Sequence, residues 1–423
     1  MFQLLRGVRV LESAVLLNGG TVGMLLSDLG AEVIKIEEPA VGDYCRDHPG
    51  QFAPRWSPEH VAVNRNKRSL ALDLKQPAAK EAFFRLLARA DVFIDGFRAG
   101  ACDRLGIGYA AQRAAKPDIV YCQFSGYGAE GPYASVPCHG RNMNALAGGI
   151  PARMGDDGLV RLARGSQWFG GVESASNAPA GGAIYAALTI VSALHRRRDT
   201  GQGCYIDMSG ADTVIGEAWH ALTYNLNYDR IAIRDQMLDR AQITPDQEGG
   251  GGARYQLYET SDRRFILFCA IENKFWNNFC NGIGRTDWLI HGTHGSDLSF
   301  GYDEAGLRRE LQAIFSTRTQ AEWTEFAQKH NVAMGPAHRM EDLPEDPHLR
   351  HRGIFYRTHH PAFGEVTMVA YPALIDGERY GDSRPAPAHG EHTRGVLAEY
   401  GYSQAEIDAM LASGAVGTRA GGA

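Results

Sequence analysis

The sequence has few cysteines for its length, and it has no long apolar stretch near its start. The seven cysteines are Cys45, Cys102, Cys122, Cys138, Cys204, Cys269 and Cys280. This odd, scattered set contains no CxxC pair, which argues against a disulfide framework or a zinc site and favours reduced thiols. The opening MFQLLRGVRVLES also lacks the apolar core of a secretory signal peptide. We therefore expect a cytoplasmic protein that binds no metal.

Neither charge nor hydropathy points to a nucleic acid or a membrane as a partner. The net charge is -6 and the isoelectric point is near 6.2, which gives no electrostatic basis for binding nucleic acid. The longest apolar run, Ala183–Leu194, is shorter than a bilayer span. With 423 residues, 44% of them hydrophobic and 22% charged, the chain is an ordinary globular protein with room for more than one domain.

Short β-like runs alternate with helical stretches in the first part of the chain. The β-like runs are Gly7–Glu12, Glu32–Glu37, Ser69–Leu74, Asp91–Phe97 and Asp118–Phe124. This alternation predicts an α/β fold with a mainly parallel sheet. The segment Gly19–Gly23 lies where a dinucleotide-binding fingerprint would occur, but it does not satisfy GxGxxG. We therefore expect no dinucleotide cofactor there.

The stretch Gly170–Ser209 contains the most apolar helix of the sequence. We expect this helix from about 180 to 195 and buried on every face, because it is apolar almost all round. Pro179 fits its first turn, and the start of the helix is a candidate anion or carbonyl site with unpaired N–H groups. A plain core helix is the alternative. The glycine-rich tail Gly414–Ala423 is expected to be frayed.

Basic residues follow several of the predicted strands. They occur in Asn64-Arg65-Asn66-Lys67-Arg68 and then at Lys75, Arg98 and Arg104. Ligands of open α/β sheets bind outside the strand ends, so these cations could converge on one phosphorylated ligand. A solvated basic surface is an equally good interpretation of the spacing.

Seven segments with familiar motifs follow one another along nearly the whole chain. They are Gly7–Glu12, Leu29–Glu37, Asn66–Leu70, Asp91–Arg104, Gly126–Tyr133, Arg198–Gly203 and Asp346–Gly353. In this order they resemble the family III CoA-transferases, a group that also includes the 2-methylacyl-CoA racemases. The resemblance implies a large doubly wound, Rossmann-like α/β domain built from both chain ends, 1–225 and 335–423. It also implies a smaller α+β middle domain, 226–334, and an interlocked homodimer.

The resemblance further implies acyl-CoA and carboxylic acid substrates, with coenzyme A as the co-substrate carried in a thioester. The residues that match the family's CoA-binding positions are Leu16, Leu72, Lys75, Phe97, Arg98 and Arg104. Where the family commonly has Glu-Arg-Pro-Gly, this chain has Glu37-Glu38-Pro39-Ala40. A carboxylate cannot donate a hydrogen bond to phosphate, and Arg46 is a candidate substitute for the missing arginine.

The family's catalytic aspartate attacks the acyl-CoA carbonyl and then carries CoA, and its position here is Pro179. Glu173 is the nearest upstream carboxylate and could replace it, while Asn177 could orient a carbonyl. In the racemase branch, the motif Gly-His-Asp-x-Asn resembles Cys138–Asn142, which makes His139 a candidate acid/base. The Ala-Ile-Glu of the same branch matches Ala270–Glu272, and Glu272 could orient the site or pair with a basic group.

Three functions therefore stay open from the sequence. The first is a CoA-transferase acting between carboxylic acids with a nonstandard catalytic group. The second is a racemase-like isomerase that uses His139. The third is a CoA-thioester-binding protein without transferase activity.

Overall fold

The computed structural model describes residues 1–162, 177–230, 252–292, 297–301, 305–381 and 383–418. These residues fall into two compact units. The first contains the described parts of Met1–Arg164, Val172–Thr223 and Arg350–Ala423, and the second contains those of Tyr224–Leu349. The units separate after 223 and 349, whereas the domain boundaries expected from the sequence lie after 225 and 334. Those two domain boundaries stay a prediction.

Fourteen strands occur in the described part of the chain. They are β1 Arg9–Ser13, β2 Glu32–Glu37, β3 Arg68–Leu72, β4 Val92–Asp95, β5 Val120–Ser125, β6 Ala152–Met154, β7 Val160–Leu162, β8 Cys204–Ser209, β9 Tyr255–Glu259, β10 Phe265–Cys269, β11 Met334–Ala337, β12 Phe355–His360, β13 Gly364–Val369 and β14 Val416–Gly417.

Fifteen α-helices connect them within the same described ranges. They are α1 Asn18–Asp28, α2 Pro58–Val63, α3 Pro77–Leu87, α4 Ala101–Arg104, α5 Tyr109–Ala115, α6 Gly140–Leu146, α7 Ala178–Thr200, α8 Gly210–Glu217, α9 Trp219–Leu226, α10 Asn273–Ile283, α11 Ala305–Phe315, α12 Gln320–His330, α13 Pro347–Arg352, α14 Thr393–Glu399 and α15 Gln404–Ala412.

The first unit is built on a seven-stranded sheet of order β14-β3-β2-β1-β4-β5-β8. All pairs are parallel except β14 with β3. Both faces of the sheet are covered: α3, α14 and α15 pack on one apolar core, and α1 and α7 pack on the other. Because parallel strands are buried on both faces, their short apolar runs are visible in the sequence. The predicted α/β class is confirmed.

The chain reverses its direction across the sheet between β1 and β4. It passes from β1 to β2 and β3 on one side and then returns to place β4 against the other side of β1. At such a switch point the loops after the two strands leave toward opposite faces, and a crevice opens at the carboxyl edge of the sheet. Ligands of open α/β sheets bind in this position.

Helix α7 is buried on one face only. Ala183, Ala186 and Ile190 lie in the core against the sheet, whereas Ile184 and Leu188 are 58% and 62% exposed. The expectation of a helix buried all round is therefore wrong for the single chain. The 23 residues of α7 are long and apolar enough to cross a membrane by length and composition alone, a test that a core helix also passes. Of its most apolar 18-residue stretch, 44% is buried in the fold.

The C-terminal tail is not frayed where the structure describes it. Val416–Gly417 forms β14, which pairs antiparallel with Leu72 and Ala71 of β3. Ala415 and Val416 are buried in the same core as α3. The expectation for Gly414–Ala423 is thus wrong up to residue 418, and the last five residues lie outside the described part of the chain.

The second unit has its own core. Strands β9, β10 and β11 form an antiparallel sheet, and residues on α10, α11 and α12 pack against it. The sequence has a β-like run at 264–271 and a helical stretch at 272–283, and these correspond to β10 and α10. Consecutive glycines such as those at 249–252 are typical of a linker or a mobile loop, but this run lies outside the described residues except for Gly252.

Candidate functional site

Three backbone segments meet closely at the switch point. They are the loop after β1, the start of α1 and the loop after β4. A Cβ added to Gly19 or to Gly96 would collide with the side chain of Ala14, and the Gly19 position also lies 3.4 Å from the Gly96 Cα. Glycine is required at both positions because a larger residue would push the segments apart. The three segments therefore pack against one another at Ala14, Gly19 and Gly96.

Two of the predicted CoA-binding residues flank this crevice, and buried carboxylates hold both. Leu16 has φ 59°, and its N–H donates to Asp43 Oδ1 at 3.0 Å. The Phe97 N–H donates to Asp95 Oδ1 at 3.0 Å. Leu16 follows β1 and Phe97 follows β4, so the structure places them on the two sides of the switch point.

The three predicted phosphate-binding cations are exposed at the same edge of the sheet. Lys75 follows β3, Arg98 follows β4 and Arg104 ends α4. Leu72, the last residue of β3, is buried. Strands β3 and β4 are three strand spacings apart, roughly 14 Å. Cations separated by this distance suit a ligand with several phosphates better than a single small anion.

The other basic residues of the predicted cluster are paired with acidic side chains. Arg65 makes an ion pair with Asp28 at 2.5 Å, and Lys67 makes one with Glu12 at 2.7 Å. Arg68 contacts Glu32 and Glu399. Because these partners already neutralise the cations, the expectation that 64–68 converges on a phosphorylated ligand is wrong.

Arg46 is buried and does not replace the missing family arginine. Its guanidinium makes two hydrogen bonds to Glu37, Nε to Oε1 at 2.9 Å and an Nη to Oε2 at 2.8 Å. It also donates to the Pro387 carbonyl at 3.0 Å and lies 2.9 Å from His60 Nε2. With 1% of the residue exposed, Arg46 is a structural cation, and the expectation that it binds phosphate is wrong.

Burial and neighbouring charge perturb the ionisable groups beneath the crevice. Burial tends to raise the pKa of the Glu37 carboxyl, but Arg46 and Lys35 outweigh it and hold that pKa well below its usual range. Burial lowers the pKa of Lys67 to about 8 despite its contact with Glu12. These groups carry balanced charges inside the fold, so they support the sheet edge and do not reach a ligand.

A second group of predicted residues meets at the start of α7. A Cβ added to Gly140 would lie 3.0 Å from Pro179 Cγ, so the segment His139–Gly140 and the first turn of α7 are in contact. His139 is exposed, and its backbone N–H donates to Asn142 Oδ1 at 3.0 Å. The structure therefore brings the two sequence motifs, His139–Gly140 and Pro179, to one place.

The N–H groups at the start of α7 already have acceptors. Ala178 N–H donates to Asn144 Oδ1 at 3.1 Å, and Ala180 N–H donates to Asn177 Oδ1 at 3.1 Å. Gly181 N–H donates to the Asn177 carbonyl, and Pro179 has no N–H. The expectation of an anion or carbonyl site made by unpaired N–H groups at this helix start is wrong.

The loop Gly126–Tyr133 lies beside this second group. The Asp207 carboxylate, two residues before the end of β8, accepts from Ala129 N–H at 2.9 and 3.0 Å. A Cβ on Gly126 would collide with the Cys138 sulfur, so the loop after β5 packs directly on the residue before His139. The second group therefore belongs to the same carboxyl edge of the sheet as the crevice.

The other two predicted catalytic residues, Glu173 and Glu272, stay predictions. Glu173 lies outside the described residues. Glu272 precedes α10 in the second unit, where its backbone forms a bridge with Leu298. Sequence reasoning also missed Asp43, Asp95 and Asp207. The signal for the last two is their place at or near the carboxyl end of a strand, since Asp95 ends β4 and Asp207 lies two residues before the end of β8.

Comparison with known proteins gives a consistent result. Residues 5–393 match the profile of CoA-transferase family III. The formyl-CoA:oxalate CoA-transferase of Rhodopseudomonas palustris (strain BisA53) is 27% identical, over 98% of both chains. The human succinyl-CoA:glutarate CoA-transferase is 26% identical over 97% of this chain and 90% of its own.

Solved structures show the same architecture. A CAIB/BAIF family protein from Brucella suis superposes with a TM-score of 0.68 at 25% identity, over 94% of this chain and 99% of its own. A Mycobacterium tuberculosis protein superposes with a TM-score of 0.71 at 25% identity, over 93% and 98%. The match thus covers both compact units.

Proposed function

Since the chain belongs to CoA-transferase family III, we propose that it binds an acyl-CoA and transfers CoA between carboxylic acids. The observation that carries the proposal is the common edge of the sheet. The crevice at β1 and β4 and the Pro179 region beside β5 and β8 both open there. Lys75, Arg98 and Arg104 would hold the phosphates, and the thioester would extend toward Pro179.

The nucleophile of the proposed reaction is Glu173. It lies six positions before Pro179, a span of up to roughly 20 Å, which keeps its side chain within reach of the start of α7. Its carboxylate oxygen attacks the thioester carbonyl, the C–S bond breaks, and CoA leaves as thiolate. The thiolate then attacks the Glu173 carbonyl of the resulting anhydride, which releases the first carboxylate and leaves CoA bound to the enzyme.

The second carboxylic acid completes the exchange by the same two steps in reverse. Its carboxylate attacks the enzyme–CoA thioester, and the released thiolate takes the new acyl group and frees Glu173. Because the N–H groups at the start of α7 already have acceptors, the thioester carbonyl needs another donor. His139 is exposed beside Pro179, and we assign it this orienting role.

Trapping tests the proposed nucleophile. The enzyme is incubated with a panel of acyl-CoAs and treated with hydroxylamine or borohydride, and peptides containing residue 173 are analysed by mass spectrometry. We expect a hydroxamate or a reduced product on Glu173 and none in Glu173→Gln. If CoA exchange between acids proceeds without modification of Glu173, the nucleophile is another residue. The absence of both exchange and trapping across the panel would contradict the transferase.

The placement of His139 beside Pro179 favours one alternative, a racemase-like isomerase. The thioester acidifies the α-proton, and an exposed imidazole next to the acyl group could remove it. Deuterium uptake at the α-carbon of a 2-methylacyl-CoA, abolished in His139→Ala, would support this activity over transfer. If CoA binds and neither activity is found, the chain is a CoA-thioester-binding protein.

The exposed apolar face of α7 supports the proposed homodimer. Ile184, Tyr185 and Leu188 are exposed large side chains on this face. A second copy that covered them would remove this apolar surface from water. Sedimentation equilibrium should give twice the chain mass, and a monomer at micromolar concentration would contradict the dimer. We also propose a cytoplasmic location, in keeping with seven cysteines of which none is paired in a disulfide.

A further inference from the structure

Two buried carboxylates hold the backbone on the two sides of the crevice. Asp43 Oδ1 accepts from the N–H groups of Leu16 at 3.0 Å and Cys45 at 2.9 Å. Asp95 Oδ1 accepts from the Phe97 N–H at 3.0 Å. The exposed fractions of Asp43 and Asp95 are 0% and 1%, so neither is placed to touch a ligand in the crevice.

Lys35 connects Asp43 to the other end of the loop after β1. Its ammonium lies 3.0 Å from Asp43 Oδ2 and donates to the Ala14 carbonyl at 2.7 Å. The buried pair therefore holds the carbonyl of residue 14 and the N–H of residue 16. Leu16 needs this support because φ of 59° is a left-handed conformation that a leucine side chain disfavours.

Asp95 has an equivalent anchor on the opposite side. It is the last residue of β4, and its Oδ2 accepts from the Tyr121 hydroxyl of the neighbouring strand β5 at 2.7 Å. With one oxygen fixed by Tyr121, the other is aimed at the N–H of Phe97, where the chain leaves the sheet. Arg98 follows immediately, so the same bond fixes the origin of a phosphate-binding side chain.

We propose that Asp43 and Asp95 are positioning residues for the nucleotide part of CoA, acting through the backbone of Leu16 and Phe97. This inference depends on the proposed CoA binding. The two carboxylates are 52 positions apart in sequence and contribute no contact of their own to the ligand. Their effect is to preorganise the two segments, so that CoA binding does not have to order them.

The test measures CoA and pantetheine binding by calorimetry in matched variants. Asp43→Ala and Asp95→Ala remove the acceptor, whereas Asp43→Asn and Asp95→Asn keep an oxygen for the same N–H. Asp28→Ala is the control, because Asp28 is also buried and bonded, to Arg65 and Asn66, but ends α1 at the opposite edge of the sheet. Circular dichroism establishes that each variant is folded.

We expect the two alanine variants to lose about tenfold or more in CoA affinity, as when a buried hydrogen-bond acceptor is removed. Their affinity for pantetheine, which lacks the nucleotide, should stay within about twofold of wild type. The asparagine variants should recover most of the CoA affinity, and Asp28→Ala should lose thermal stability without losing CoA affinity.

Several results would overturn the inference. Folded alanine variants that bind CoA as wild type does would exclude a positioning role. Equal losses for CoA and pantetheine would show a general structural effect. If the alanine variants do not fold, folded asparagine variants that lose CoA affinity tenfold would contradict the assigned acceptor role. A wild-type protein that binds no CoA would instead refute the proposed function.

Discussion

Replacement of Arg46 by alanine should destabilise the fold without a specific loss of CoA affinity. The side chain makes two hydrogen bonds to the Glu37 carboxylate and one to the Pro387 carbonyl. Arg46, Glu37 and Pro387 are all buried. Alanine would leave the Glu37 carboxylate without its main counter-charge. An uncompensated buried charge is among the most costly local changes in a folded protein.

The magnitude follows from the burial of the pair. Breaking a buried ion pair by removing one partner costs about 3–5 kcal/mol, whereas an exposed pair is worth about 0–1 kcal/mol. The matched control is Arg394→Ala, whose ion pair with Asp408 is 2.7 Å long but about half exposed on both sides. The double variant Glu37→Gln/Arg46→Met removes both charges and should recover at least half of the lost stability.

Urea unfolding followed by far-UV circular dichroism measures these differences, and calorimetry measures CoA affinity on the same samples. We expect Arg46→Ala to shift the unfolding midpoint far more than Arg394→Ala does. An Arg46→Ala variant that unfolds like wild type but binds CoA tenfold more weakly would refute the assignment. Arg46 would then be a ligand-binding cation, as the sequence alone had suggested.

Three further predictions concern stability and the crevice. Because Arg46 holds the pKa of Glu37 below its ordinary 4.5, the stability that this carboxylate contributes is present above pH 4.5 and is lost as the pH falls below it. In Glu37→Gln the melting temperature should therefore fall less between neutral and acid pH than in wild type, and an equal fall would contradict the pairing. Gly96→Val should weaken CoA binding at least tenfold by calorimetry, since the valine side chain would collide with Ala14. Wild-type CoA affinity in this variant would contradict the close packing of Gly96 against Ala14. Val416→Asp should destabilise the protein by about 3 kcal/mol or more in urea, because an unpaired charge would enter the core; Thr418→Asp is the exposed control, and equal effects would mean a frayed tail.

The alternation of strands and helices was readable from the sequence because parallel strands are short, apolar and buried on both faces. The predicted run Glu32–Glu37 coincides with β2, and the others differ by a few residues at their ends. The short strand β14 was missed. Its two residues carry no periodic pattern, and they are ordered by the edge of β3, which is more than 340 positions away in sequence.

The sequence shows where the basic residues are, but it does not show which of them are ion-paired and which are exposed. Arg65 pairs with Asp28 and Arg68 pairs with Glu399, and neither partner is a near neighbour in the chain. Spacing alone cannot show which cations have an acidic partner and which face the crevice. The family resemblance selected Lys75, Arg98 and Arg104, and the structure leaves these three exposed at the predicted edge.

The start of α7 shows a different limit. Its proline and small residues suggested free N–H donors, but the acceptor for Ala178 comes from Asn144 on another helix. The contact of Pro179 with Gly140 was equally invisible, because it depends on the packing of α6 against α7. The position of the family aspartate was found by counting, whereas its surroundings required the fold.

The most direct test of the account is a crystal structure with an acyl-CoA bound. The account predicts the nucleotide in the crevice between Leu16 and Phe97, with phosphate oxygens within hydrogen-bond distance of Lys75, Arg98 or Arg104. The thioester carbonyl should lie beside Pro179 and His139. A CoA bound elsewhere, with its nucleotide away from the switch point between β1 and β4, would contradict the central claim.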